Sequence, residues 1–378
     1  MKNILYYIFL LVITWNCIGC VSEYDPGIEG MSNILVVEGI ITNGTTEIKL
    51  SRSVQLSESI VDAPAVNNAQ VSVESDSGEV IPSSTNSQGK YYIQTGELDS
   101  NKAYRLKIVS EGKTYVSKFL APEYTPPIDT MIFYKQATGK PIQTQITTTG
   151  TSESSRYYLW SFEEIWEIKS YLMATATQET PESPIIFHDP YWPYYYCWKY
   201  NSSNSILLGS SYKLNENKIS SLTIADNDAS SDRFSQLYYL KIKQNALRRE
   251  AYDYYNNLKM NAESTGSIFG PTPSEMKGNM ECVEDSSISV IGYIEVSMSQ
   301  YKEQMHDSSV FKNLYERPQI KCPVYGSIKE GEEDGVYVTL YEYDPVTPAS
   351  YYTLPSCMDC RVLGGKKLKP EWWPNDHI

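Results

Sequence analysis

Histidine is scarce in this chain of 378 residues: His188, His306 and His377 are all there is. That leaves few parts for a His-based active site or a metal cage. Basic residues are in deficit, with 32 Lys and Arg against 46 Asp and Glu, for a net charge of −14. A phosphate backbone or an anionic lipid surface needs clustered Lys and Arg, so neither a nucleic acid nor electrostatic membrane docking is expected. HExxH, GxSxG, the Walker A loop and a GxGxxG after a strand are all missing. Glycoside hydrolysis needs only a pair of carboxylates, but Glu163-Glu164 and Glu332-Glu333-Asp334 read as solvated faces or turns. The expectation is a non-enzymatic protein without cofactor or metal. Phe is also rare at 8 residues, whereas Tyr reaches 32. With 41 % hydrophobic residues, the chain has material for a large core.

Long apolar runs are absent beyond the first residues. Ile4 to Trp15 is 12 residues long, too short to span a bilayer and suited to the h-region of an export signal after Met1-Lys2-Asn3. Cys17-Ile18-Gly19-Cys20 follows, the pattern of a bacterial lipobox with Cys in place of the usual Leu. Residues 1–19 are expected to be removed, leaving Cys20 as the lipidated N-terminus. The other reading is an ordinary signal whose Cys20 later joins a disulfide. Two or more acyl chains give a stable anchor, at about 0.8 kcal/mol per buried methylene. Residues 20–32 would be the tether. Val21-Ser22-Glu23-Tyr24-Asp25 in it resembles a surface-export signal, so cell-surface exposure at the outer membrane is expected, with the periplasmic face as the alternative.

The remainder reads as mainly β. Residues 33–42 are rich in β-branched side chains, and Asn43-Gly44 is a strong hairpin signal before Thr46 to Leu50. Further strands are expected at 69–74, 90–94, 104–109 and 114–119, separated by turn residues. Such spacing predicts an immunoglobulin-like β-sandwich over 33–125. Pro122 to Pro127 breaks the pattern and marks a boundary near 125. A larger β-rich domain follows over 126–378. Its first strand is Ile128–Phe133, then Gln143–Thr148 and Arg156–Phe162 read as a hairpin. Residues 178–204 read as irregular and 237–242 as a strand. A helix is expected near 245–263, with Leu247, Ala251, Tyr254, Leu258 and Ala262 on one stripe. Strands at 288–297 and 336–343 complete the reading.

Five cysteines remain: Cys197, Cys282, Cys322, Cys357 and Cys360. An oxidising compartment predicts one or two disulfides, whose pairing is open among fifteen possibilities. Cys357-Met358-Asp359-Cys360 has metal or redox spacing, yet no second pair completes a zinc site and a turn follows it. Structural disulfides are therefore expected. His188 to Tyr200 concentrates Tyr191, Trp192, Tyr194, Tyr195 and Tyr196 among prolines. Flat rings with polar tips suit sugar stacking or a protein contact, and they equally suit packing pinned by Cys197. His188 reads as a hydrogen-bonded loop residue, and Trp372-Trp373 as packed against the body.

The segment Cys357 to Gly365, followed by Lys369-Pro370-Glu371-Trp372-Trp373, resembles the ending of a Bacteroidota lipoprotein family called domain of unknown function 4249. Ile34 to Thr42, Gly89-Lys90-Tyr91-Tyr92, Tyr104-Arg105-Leu106, Leu247 to Tyr255, Gly266 to Phe269, Gly278-Asn279 and Ile291-Gly292-Tyr293 match it in order. The resemblance implies an outer-membrane lipoprotein often encoded near TonB-dependent receptors, with an immunoglobulin-like or transthyretin-like first part and no catalytic residues. It implies a TonB-dependent (SusC-like) barrel as partner, with the protein an accessory subunit for cargo capture or assembly. A free-standing glycan- or peptide-binding lipoprotein is the alternative, and a hydrolase a distant third.

Overall fold

In a computed structural model of the chain, the described residues are 33–54, 63–85, 88–151, 154–188, 193–264, 278–344, 346–347 and 349–374. The export signal, Cys20 and the tether lie outside them, as do Tyr191 and Trp192. The fold is mainly β. No helix among the described residues is long and apolar enough to cross a membrane.

Leu35–Thr42 runs antiparallel to Gly44–Arg52, as the Asn43-Gly44 signal predicts, with Gly39 opposite Ile48. Gly44 takes a φ of +80° at the reversal, where a Cβ would be strained. Alternation then points Ile48 and Leu50 inward and Glu47 and Lys49 outward. Val80–Thr85 pairs through its first half with Gln70–Ser75 and through its second with Lys90–Gly96. It carries the hydrogen-bonded path from one layer to the next. Leu35, Ile48 and Leu50 of one layer share a core with Val73, Leu106 and Ile108 of the other. This is a sandwich, but the expected boundary at 125 does not close it. Met280–Cys282 pairs with Lys113–Ser117, and both Val290–Ile291 and Glu295–Met298 run parallel to Leu35–Thr42. The single strand expected over 288–297 is split at Gly292, where a Cβ would come within 2.6 Å of the Val37 carbonyl oxygen. Parallel pairing requires a long crossover, so nothing local in the sequence announces it.

The second unit stacks two sheets. One orders Tyr196–Ser202, Tyr157–Lys169, Tyr238–Leu247 and Gln300–His306, and the other orders Lys218–Asn227, Ile142–Thr149 and Ile128–Tyr134. The hairpin expected between 143–148 and 156–162 does not form. Ile142–Thr149 pairs instead with its neighbours in the smaller sheet. Both segments have a period of two, and their apolar faces meet across the core: Ile142 and Ile146 join one cluster with Tyr158 and Trp160. Residues 178–204 are not irregular throughout, because Tyr196–Ser202 pairs with the long strand Tyr157–Lys169 once the prolines have passed. The helix runs Arg249–Ser264 rather than from 245, since Tyr238–Leu247 is strand to its end. Ala251 and Tyr254 are buried, whereas Ala262 at the far end of the stripe is exposed. A third, smaller core gathers Ile328, Val338, Leu340 and Tyr352 around the hairpin Thr339–Asp344 and Ala349–Thr353.

Two ion pairs of one arginine join the two units. Arg248, between strand and helix, pairs with Glu295 on the returning strand and with Glu123 at 3.2 Å. The Glu295 side chain is fully buried and also accepts the N–H groups of Arg248 at 2.9 Å and Val296 at 2.8 Å. Burial pushes its carboxyl up while Arg248 pulls it down. Arg248→Met would strand this carboxylate in the interior, and we expect a loss of about 3–5 kcal/mol in chemical denaturation at pH 7. Adding Glu295→Met should recover most of it. An unchanged denaturation midpoint in the single variant would refute this account of the joint.

Candidate functional site

Two disulfides build the region that holds the aromatic segment. Cys197 bonds Cys360 and Cys322 bonds Cys357, so the closely spaced Cys357 and Cys360 anchor two different parts of the chain. Cys282 is free and buried. Backbone bonds tighten the same region: Ser170 N–H to the Tyr195 carbonyl at 2.9 Å and Leu172 N–H to the Cys357 carbonyl at 2.8 Å. Trp198 and Lys366 exchange two bonds, each 2.9 Å. Gly365 must be glycine here, because a Cβ would sit 2.4 Å from Cys197 Cβ.

The three described tyrosines of the segment part company. Tyr194 packs inward, its ring 3.2 Å from the guanidinium of Arg361, which Asp359 holds at 2.7 Å. Tyr196 opens the strand opposite Lys169 and meets Tyr195 edge-on at 4.7 Å. Tyr195 alone faces a depression of about 650 Å³, which it shares with Tyr171 and Tyr315. Lys169, Lys312 and Arg317 stand around these rings. Asp232 also lines the pocket, with both oxygens engaged: Trp166 Nε1 donates at 2.9 Å and Lys199 at 2.6 Å. Burial pushes the Tyr171 and Tyr315 hydroxyls up, so both stay neutral donors. Volume and lining fit a ligand pocket, for which ~300–1,000 Å³ is usual. Tyr171, Tyr315 and the three cations carry no sequence signal, because only the fold brings them to Tyr195.

Other expected positions resolve individually. His188 Nε2 lies 3.0 Å from Thr177 Oγ1, and His306 is buried beside the Phe133 ring. Glu163 is exposed as expected, but Glu164 is not a solvated residue. It points into the core, paired with Arg233 at 2.9 Å and bonded by Asn201 and Tyr238 Oη, each at 2.7 Å. Neighbours on a strand face opposite ways, and the carboxylate is tolerated because its oxygens are all satisfied. Glu332 and Glu333 are exposed. Trp373 is 2 % exposed, whereas Trp372 remains 54 % exposed, resting on the rings of Tyr239 and Trp373. Among the described residues, no three His, Cys, Asp or Glu side chains gather as a metal cage.

A family model described as a domain of unknown function, DUF4249, matches residues 21–303. The chain belongs to this DUF4249 family. No curated protein matches it. The match takes in the sandwich, Tyr171, Tyr195 and the helix of this DUF4249 protein. It ends before Tyr315 and before the Cys357 to Trp373 segment, whose role is read from its own contacts.

Glu167 yields a test of this end of the sheet. Its carboxyl is pushed up to about 7 by burial, with the Trp373 indole N–H at 3.3 Å pulling the other way. The folded chain therefore keeps a proton that the unfolded chain releases near its ordinary 4.5. That site's contribution to stability falls as pH rises from about 4.5 to 7. Glu167→Gln should flatten this slope and raise stability at pH 8 by on the order of 2 kcal/mol. Thermal melts of both forms across pH 5–8 check this, and parallel curves would contradict it.

Proposed function

We propose that this DUF4249 protein is a non-enzymatic, lipid-anchored protein of the outer membrane that captures cargo for a TonB-dependent barrel. The observation that carries the capture role is the pocket at Tyr195, where three tyrosine rings border an open depression of about 650 Å³. Ring faces bind the C–H faces of sugars and apolar side chains, while hydroxyl, amide and ammonium groups around them bind polar substituents. The disulfide Cys197–Cys360 and the Ser170–Tyr195 backbone bond hold the wall still. A wall already in place lowers the ordering cost of binding. The anchor reading is supported by Cys17 to Cys20, and the barrel by the family resemblance. A free-standing capture protein would use the same pocket without the barrel.

Two measurements separate these readings. The tagged, lipidated protein is extracted from its native outer membrane in mild detergent, and co-purifying proteins are identified by mass spectrometry. A stoichiometric barrel is expected; recovery of the protein alone would reject the accessory role and leave the free-standing one. Glycan and peptide arrays then test capture. Tyr195→Ala should weaken any hit at least tenfold while the melting temperature stays within a few degrees. Unaltered binding by that variant would remove the pocket from the function.

A further inference from the structure

The charge of the pocket runs against the charge of the protein. The chain carries a net −14, yet three cations surround the rings: Lys169 from the end of the long strand, and Lys312 and Arg317 from the segment after Gln300–His306. None of the three makes an ion pair among the described residues. The carboxylates nearby are already occupied. Asp232 is held by Trp166 and Lys199, Glu316 by Lys135 at 3.0 Å and the Gly139 N–H at 2.7 Å, and Asp307 caps the Ser309 N–H at 2.7 Å. An acidic protein repels anions at long range, so a local group of uncompensated cations beside stacking rings favours one kind of ligand.

We infer that the pocket selects anionic oligosaccharides, sugars that carry carboxylate or sulfate groups. This rests on the reading of the Tyr195 pocket as the cargo site. Tyr195, Tyr171 and Tyr315 supply faces for sugar rings, and Arg317 supplies a planar fork that fits a carboxylate or sulfate through two parallel hydrogen bonds. Lys169 and Lys312 act as point charges for further acidic groups along the ligand. Sugars are favoured over acidic peptides for a structural reason. A peptide cannot add to the sheet at Trp198, because Lys366 already makes two backbone bonds there.

Isothermal titration calorimetry on the full mature chain tests this with four probes: an oligogalacturonate, a chondroitin sulfate oligosaccharide, a maltooligosaccharide of matched length, and poly-glutamate. At least one of the first two should bind ten times more tightly than the neutral sugar, and which one does distinguishes carboxylate from sulfate. The preference should collapse to under threefold in the Lys312→Gln/Arg317→Gln variant and shrink in 1 M salt. Both residues are exposed, so this variant should keep its melting temperature. Tyr195→Ala should weaken charged and neutral sugars alike. Equal affinity for charged and neutral sugars would overturn the anionic selection while leaving the cargo pocket in place. Binding of no sugar at all would overturn the selection, and unaltered array hits in Tyr195→Ala would overturn the pocket itself. Tighter binding of poly-glutamate than of either acidic sugar would reject the sugar class.

Discussion

The buried contact between Arg248 and Glu295 sets how the rest of the molecule is arranged. Glu295 belongs to a strand that leaves the second unit and pairs in parallel with Leu35–Thr42. Arg248 ends the strand Tyr238–Leu247 and leads into the helix. A charge taken out of water must find its partner at close range, and a fully buried carboxylate leaves no slack in that requirement. The sandwich, the larger sheet and the helix therefore meet at one electrostatic joint. Thr125 strengthens it, with its hydroxyl accepting the Ala246 N–H at 2.9 Å and lying 3.1 Å from Ser297 Oγ. The units are continuous through this joint, which is why residues 279–298 count structurally with the first unit although they follow the second in sequence.

At the other end of the large sheet the same demand is met covalently. Pro190 and Pro193 precede Tyr194 in the aromatic segment, and a proline donates no ladder bond. Cys197–Cys360 and Cys322–Cys357 supply the missing restraint, and Gly365 lets the chain pass against the sulfur bridge. A loop of more than 160 residues closed by Cys197–Cys360 removes substantial freedom from the unfolded chain. What results is division of labour among adjacent tyrosines. Tyr194 is consumed by packing and by Arg361, while Tyr195, half-buried against Ala174 and Met358, also borders the depression from a fixed backbone.

Much of the fold was legible because its signals are local. Period-two alternation marks Leu35–Thr42 and Gly44–Arg52, and Asn43-Gly44 marks their turn. The apolar stripe marks the helix but sets its start four residues early, because Leu247 continues a strand with an apolar side chain of the right phase. Pairing was the weak point. Gln143–Thr148 and Arg156–Phe162 are strands but not partners, since alternation fixes which face is apolar and not which neighbour it meets. Glu164 differs for a related reason: a charged residue reads as solvated until a half-buried Arg233 and two hydrogen-bond donors are found beside it.

By itself the amino-acid sequence determined the mainly β class, the acidic net charge, the cysteine set and the aromatic segment. These follow from composition, periodicity and short turn signals, which act over a few residues. Tertiary structure alone decided the disulfide pairing among fifteen possibilities, the return of residues 279–298 to the first sheet, and the gathering of Tyr171, Tyr195, Tyr315, Lys312 and Arg317 around one depression. Those positions span nearly 150 residues of chain, and their proximity is a property of packing over long loops, which no local pattern encodes.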